Sequence, residues 1–319
     1  MTSASGAAAP ATPRTGGRTG GLTWSLRDRT PEQIEVRADG LPGPSADPWR
    51  WSDGSGVGVC IVDSGIEAGH PDIGAVRGAW SVVTGEDGPE VVPVEPADAC
   101  GHGTACAGIV RRVAPACDLY SVRVLGPGST GTGAALLAGL RWAVDQGFSV
   151  VNLSLSTTRP QFVDELRAIA DNAYFRGVLL VASAHNTPVE SFPWRFSSVI
   201  SVGSHRESRP DLHLYNPRPP VEFFAPGQNV EVPWPGGRRI RTTGNSFATP
   251  FVSGLCARLL GSHPRLTPFQ VKNALYLAAG NTRTGTSSET TGPTAAEVTH
   301  HVPDPDPDPA LPGRRGGGA

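Results

Sequence analysis

Residues 57–62 read Val-Gly-Val-Cys-Ile-Val and run directly into Asp63. Apolar side chains at consecutive rather than alternate positions describe a strand covered on both faces, as in parallel strands sandwiched by helices. Comparable runs recur at 118–125 (DLYSVRVL), 149–155 (SVVNLSL), 177–184 (GVLLVASA) and 197–203 (SSVISVG). Helical patterns lie among them. One follows His102, with Ala105, Cys106, Ile109 and Val110 at helical spacing; others fall at 132–147, near 162–176 and in a last long stretch. This alternation predicts an α/β fold with a mostly parallel central sheet flanked by helices. In such sheets a functional site lies at the carboxyl ends of the strands.

Three short motifs carry chemistry: Val-Asp-Ser-Gly at 62–65, Gly-His-Gly-Thr at 101–104 and Gly-Asn-Ser-Phe-Ala-Thr-Pro at 244–250. They offer Asp63, His102 and Ser246. A serine hydroxyl is a poor nucleophile at neutral pH, so hydrolysis needs an imidazole to take its proton and a buried carboxylate to orient that imidazole. Each residue also has a plainer reading: a turn-forming aspartate, a histidine bonded to backbone at a helix start, an N-cap serine. The glycines beside His102 are expected to let substrate and Ser246 approach closely. A serine at a helix start directs its own N–H and the helix dipole at a developing negative oxygen, and Pro250 falls within the first turn or so, where a helix tolerates it.

The order Asp…His…Ser, with these flanking residues, resembles the subtilisin-like serine peptidases. Gly56–Ile66 followed by His70-Pro71-Asp72, then Val113-Ala114-Pro115 through Leu125, Val150–Leu155 and Ala184-His185-Asn186 match the family's other blocks in order, over roughly residues 50 to 280. The resemblance implies a three-layer fold and an endopeptidase acting through an acyl-enzyme. In that scheme Ser246 attacks, His102 shuttles the proton, Asp63 orients His102 and Asn186 donates to the oxyanion. The alternatives are a dedicated precursor-processing protease and a non-catalytic peptide-binding relative.

The resemblance further implies that substrate pairs as an extended strand between Gly126-Pro127-Gly128-Ser129 and Ser154-Leu155-Ser156. It also implies a side-chain pocket near Asn186 with Glu190 and Trp194 in its far wall. A short link from Asn186 to Phe192-Pro193, and a tryptophan where glycine is usual, are expected to narrow that pocket towards small or medium apolar residues. A partly buried Glu190 would instead favour basic ones, while the plain alternative makes Glu190 a solvated loop residue and packs Trp194 on the core. Other departures are Asn245 for the family's threonine and Phe247 for its methionine. Cys106, one helical turn past His102, is read as a small buried hydrophobe in the mechanism and as a target for thiol reagents or mercury. Asp72 matches one calcium ligand of the family's calcium-dependent members, without the carbonyl-rich loop that completes such a site. No metal and no cofactor are expected.

The 319 residues are enough for a sizeable core, and 27 basic against 29 acidic side chains give a net charge of −2. That balance suggests a peptide or protein substrate and neither nucleic acid nor membrane as partner. One lysine, Lys272, stands among many arginines. Residues 1–21 hold no apolar run of the kind a secretory signal needs, and the five cysteines are odd in number; both observations favour a cytoplasmic protein with reduced thiols. The expected organisation is a disordered or loosely docked extension over 1–49, too short for a folded inhibitory prodomain, the peptidase domain over 50–280, and a disordered Pro/Asp/Gly-rich tail over 281–319. Sequence leaves the oligomeric state open.

Overall fold

A computed structural model describes residues 52–206 and 211–282. The extension expected over 1–49 and the tail beyond Thr282 lie outside the described residues.

The opening run becomes β1 (Gly58–Asp63), followed by the hairpin β2 (Val76–Gly85) and β3 (Gly88–Pro93), then α1 (His102–Val113), β4 (Asp118–Arg123) and α2 (Gly133–Asp145). Next come β5 (Val150–Leu153), α3 (Val163–Phe175), β6 (Leu179–Ser183), β7 (Ile200–His205), β8 (Leu214–Tyr215) and β9 (Phe223–Pro226). A second hairpin, β10 (Val230–Trp234) and β11 (Arg238–Thr242), precedes α4 (Asn245–Ser262) and α5 (Pro268–Leu277). The nine-stranded sheet has the order β3-β2-β4-β1-β5-β6-β7-β9-β8. Its strands from β2 to β9 are parallel, and antiparallel β3 and β8 close the edges.

The residues of β1 show why the run is apolar throughout. Val59 and Ile61 pack with α1 and α4 in one core, whereas Cys60 and Val62 pack with α2 and α3 in the other. Side chains alternate across a strand, so a strand with helices on both faces needs apolar groups at odd and even positions alike. The layers are helix, sheet, helix. After β1 the chain places β4 on one side of it and β5 on the other. Brought together at that switch in direction, the carboxyl ends of β1, β4 and β5 border the crevice in which α/β sheets build their sites.

The two hairpins depart from the helix–strand alternation in the sequence. β2 and β3 expose many of their side chains, and β11 reads Arg-Arg-Ile-Arg-Thr; edge ribbons bury only part of one face and leave no continuous apolar run. The last helical stretch divides into α4 and α5. Lys272 on α5 binds the carbonyls of Ser197 and Val199 at 2.7 and 2.8 Å and Glu222 at 2.8 Å, which makes it a structural clamp.

Candidate active site

Asp63 is the last residue of β1 and is fully buried. His102 is the first residue of α1, and its Nδ1–H faces both carboxylate oxygens of Asp63 at 2.8 and 2.9 Å. Asp63 Oδ1 also accepts the N–H of Ser64 at 2.8 Å, which fixes the carboxylate plane. Burial disfavours the imidazolium, but the Asp63 carboxylate beside it outweighs burial and raises the His102 pKa well above the usual imidazole value.

The start of α1 is held by a residue outside the three motifs. Asp98 accepts the N–H groups of Cys100, Gly101 and Thr104 at 3.0, 2.8 and 2.8 Å, and the hydroxyls of Ser64 and Thr104 at 2.7 and 2.6 Å. Ser64 Oγ in turn accepts the Gly103 N–H at 3.0 Å. These are the orphan donors of a first helical turn, and satisfying them fixes where His102 starts. An acidic residue just before a helix is a recognised start signal, so Asp98 was open to discovery from sequence. The flanking glycines also have a role within the protein itself. Gly101 adopts φ 96°, and a Cβ there would lie 2.7 Å from the Trp234 ring; a Cβ on Gly103 would lie 2.0 Å from the Gly65 carbonyl. Gly101 thereby admits the Trp234 and Pro235 side chains, and Gly103 the Gly65 backbone.

Ser246 is the second residue of α4, after Gly244. Pro250 lies inside that helix, beyond its first turn. Having no N–H, it frees the Ser246 carbonyl four residues earlier. Two groups satisfy that carbonyl: Ser154 Oγ–H donates to it at 2.8 Å, and Cys106 Sγ lies 3.6 Å away. Behind Ser154 stands fully buried Asn152, whose Nδ2 donates to Ser154 Oγ at 3.0 Å and whose Oδ1 accepts Ser253 Oγ–H at 2.9 Å. A lone amide in the apolar strand Val150–Leu153 was the sequence signal for this relay. The Phe247 ring packs tilted against His102, with ring centres 5.3 Å apart. The buried Cys106 thiol is 4.0 Å from His102 Nδ1, and burial raises its pKa, so it stays protonated.

Asn186 sits past the end of β6, exposed at the cleft. Its Oδ1 accepts the Asn245 N–H, an orphan donor of α4, at 2.9 Å. That bond orients the amide and leaves Nδ2 as a free donor. Asn245 ties the two elements together: its Nδ2 donates to the carbonyls of Ala184 and His185 at 3.3 and 3.1 Å, and its Oδ1 accepts the Ser204 N–H at 2.9 Å. The next N–H in the helix, that of Ser246, has no intrahelical acceptor.

His102, Asn186 and Ser246 line one cleft of about 390 Å³, together with Ser154, Leu155 and Ser156. The other expected contacts fall elsewhere. Gly126 N–H bonds the Thr130 carbonyl at 2.7 Å and Gly128 turns the chain at φ 70°, so Ser129 and Gly131 reach the cleft in their place. Glu190 is exposed and paired with Arg195 at 2.8 Å. Trp194 is 7% exposed, packed in the second core, and its Nε1–H donates to Ser191 Oγ at 2.8 Å. Phe192 stacks on Phe196, which carries the Arg167 guanidinium on its ring, so the segment's aromatic groups face inward. His185 borders the cleft and bonds locally to Thr187. Both carboxylate oxygens of Asp72 are held by Arg239 at 2.6 and 2.8 Å. Among the described residues, Asp63, His102 and Cys106 form a group of potential metal donors within 4.8 Å of one another. Asp63 pairs with His102 through both oxygens, and Cys106 lies one turn of α1 beyond His102.

A family model described as the subtilase family matches residues 54–297. The chain is 34% identical over 247 residues to M-protease of Shouchella clausii, covering 74% of this chain and 61% of that protein. It is 33% identical over 243 residues to subtilisin DY of Bacillus licheniformis, covering 72% and 85% respectively. Among solved structures, a cold-adapted subtilisin-like serine proteinase superposes with a TM-score of 0.56 at 27% identity, covering 70% of this chain and 81% of that one. A family match over this span, with such relatives along most of it, leaves one assignment: the chain belongs to the subtilase family and is a subtilisin-like serine endopeptidase.

Proposed function

We propose that Ser246 is the nucleophile, His102 its general base, Asp63 the group that orients His102 and stabilises the imidazolium formed on proton transfer, and Asn186 with the Ser246 N–H the oxyanion donors. The observation that carries this reading is the doubly paired His102 Nδ1 on a fully buried Asp63, with His102 and Ser246 bordering the same cleft. With Nδ1–H committed to the carboxylate, Nε2 is the basic nitrogen. It takes the Ser246 proton as Oγ attacks the peptide carbonyl carbon, then returns it to the leaving amine, and water repeats the sequence on the acyl-enzyme. The anionic oxygen formed on attack is met by donors already fixed in place, which is where such sites lower the barrier most.

Substrate is a peptide or protein segment laid in extended form along Ser154-Leu155-Ser156. We place the chain in the reducing cytoplasm, since all five cysteines are free and four of them are buried; cell fractionation tests that placement. No described helix is long and apolar enough to cross a membrane. The test of the catalytic reading is labelling by a fluorophosphonate probe. Ser246 is the expected adduct site, and equal labelling of Ser246→Ala would overturn the assignment.

A further inference from the structure

We propose that the recess beside Ser246, which receives the side chain on the acyl side of the scissile bond, ends on the Ser156 hydroxyl, which buried Ser191 fixes from behind. It therefore admits only short side chains: glycine, alanine or serine. This rests on the catalytic reading above and adds a substrate class to it.

The recess follows from the topology. β5 and β6 are neighbours in the sheet, and beyond their ends the segments Ser154–Thr157 and Ala184–Asn186 border the same cleft as Ser246. A peptide aligned along 154–156, with its carbonyl carbon at Ser246 Oγ and its oxygen at Asn186, sends the intervening side chain into the gap between those segments.

The gap is closed at its inner end. Ser156 Oγ lies 3.0 Å from Ser191 Oγ. Immediately behind, Thr157 and Phe192 exchange both backbone hydrogen bonds, each 2.9 Å. Two segments joined in this way leave no passage for a long side chain, and no residue from 187 to 196 lines the cleft.

A single serine at a pocket floor can rotate aside when a ligand arrives; this pair cannot do so freely. Ser191 is fully buried, and its Oγ already accepts the indole N–H of Trp194. Its own hydrogen needs an acceptor, and Ser156 Oγ is the other group bonded to it. Turning Ser156 away strands a buried donor, a cost that buried polar groups rarely bear. Trp194 thus limits the pocket from below, by pinning the serine that pins Ser156. Glu190, neutralised by Arg195 at the surface, supplies no charge to attract a basic residue.

The experiment uses internally quenched peptides that differ only in the residue on the acyl side of the cleaved bond: Ala, Leu, Phe or Lys. The full chain and its Ser156→Gly variant are compared by kcat/KM, with fluorophosphonate labelling of Ser246 as a parallel readout. Ser156 is half-buried, so glycine there removes the inner hydroxyl without opening the core. The expected result is an Ala preference over Phe on the order of 100-fold, and a Phe-to-Ala ratio raised about tenfold or more in Ser156→Gly. Ser191→Ala, which frees Ser156 to rotate, shifts the Leu-to-Ala ratio in the same direction. Cleavage by the native chain after Phe, Leu or Lys as readily as after Ala would overturn the proposal, as would an unchanged ratio in both variants. Absence of labelling at Ser246 would instead overturn the catalytic reading beneath it.

Discussion

The triad end of the cleft and the neighbouring segment 187–196 are comparably rich in polar and aromatic residues, yet they use them in opposite ways. Asp63, His102 and Ser246 stand at the ends of β1, α1 and α4, where chain geometry leaves backbone groups unpaired. Those groups recruit a supporting layer of Asp98, Ser154, Asn152 and Asn245 that fixes the element ends carrying these residues. In 187–196 the same kinds of side chain satisfy one another or the core: Glu190 with Arg195, Trp194 with Ser191, Phe192 with Phe196. The contrast shows that proximity along the chain to a catalytic residue is a poor guide to function. What separates the two regions is whether a polar atom is left facing the cleft once local partners are met.

The largest test of this contrast is the triad itself. Ser246→Ala and His102→Ala each lower kcat by about 10⁶-fold, and the double variant is no worse than either, because the residues act as one unit. Additive losses in a double-mutant cycle would break the picture of a shared mechanism. Next in size is Asn186→Ala, expected to lower kcat about 10²- to 10³-fold with little change in KM, since its Nδ2 serves the oxyanion and not the bound peptide. A loss confined to KM would move Asn186 to the binding side.

A smaller effect concerns pH. Only neutral His102 can accept the Ser246 proton, so kcat/KM is present above the His102 pKa and lost as pH falls through it. Asp63 raises that pKa against the opposing pull of burial, so the acid limb lies above the ordinary imidazole value of about 6.5. In Asp63→Asn the residual activity has its acid limb at lower pH, because burial then acts without the opposing carboxylate. The stability contribution runs the other way: the His102–Asp63 pairing stabilises the fold fully below the unfolded pKa and is lost as pH rises through the raised folded one. A pH–rate profile unmoved in Asp63→Asn would refute the electrostatic link. The smallest effect is Glu190→Gln, whose exposed pair with Arg195 is worth at most about 1 kcal/mol. Cleavage preference and activity should not move, and a selective change on basic substrates would return Glu190 to the pocket wall.

The sheet, the helices and the motifs that carry the proposed triad were legible in sequence because each leaves a short-range trace. Strands buried on both faces are apolar throughout, helices repeat at 3.6 residues, and the catalytic residues sit in motifs at element ends. The hairpins β2–β3 and β10–β11 leave weaker traces, being ribbons with exposed faces. Asp98 and Asn152 carried local signals, an acid before a helix and an amide in an apolar strand, but their partners lie on other elements. Ser64 is 34 residues from Asp98, and Ser253 is 101 residues from Asn152.

By itself the sequence determined the α/β class, the order of elements through the core and the three residues offered for chemistry, since periodicity and motif are properties of neighbours along the chain. The tertiary structure alone decided which side chains face the cleft. Gly126 and Gly128 yield to Ser129 and Gly131 because a turn closes on Thr130, and Trp194 turns inward because its indole finds Ser191. The floor of the recess joins Ser156 to Ser191 across 35 residues of chain. Such a contact exists only after β5 and β6 have paired, and no local pattern encodes it.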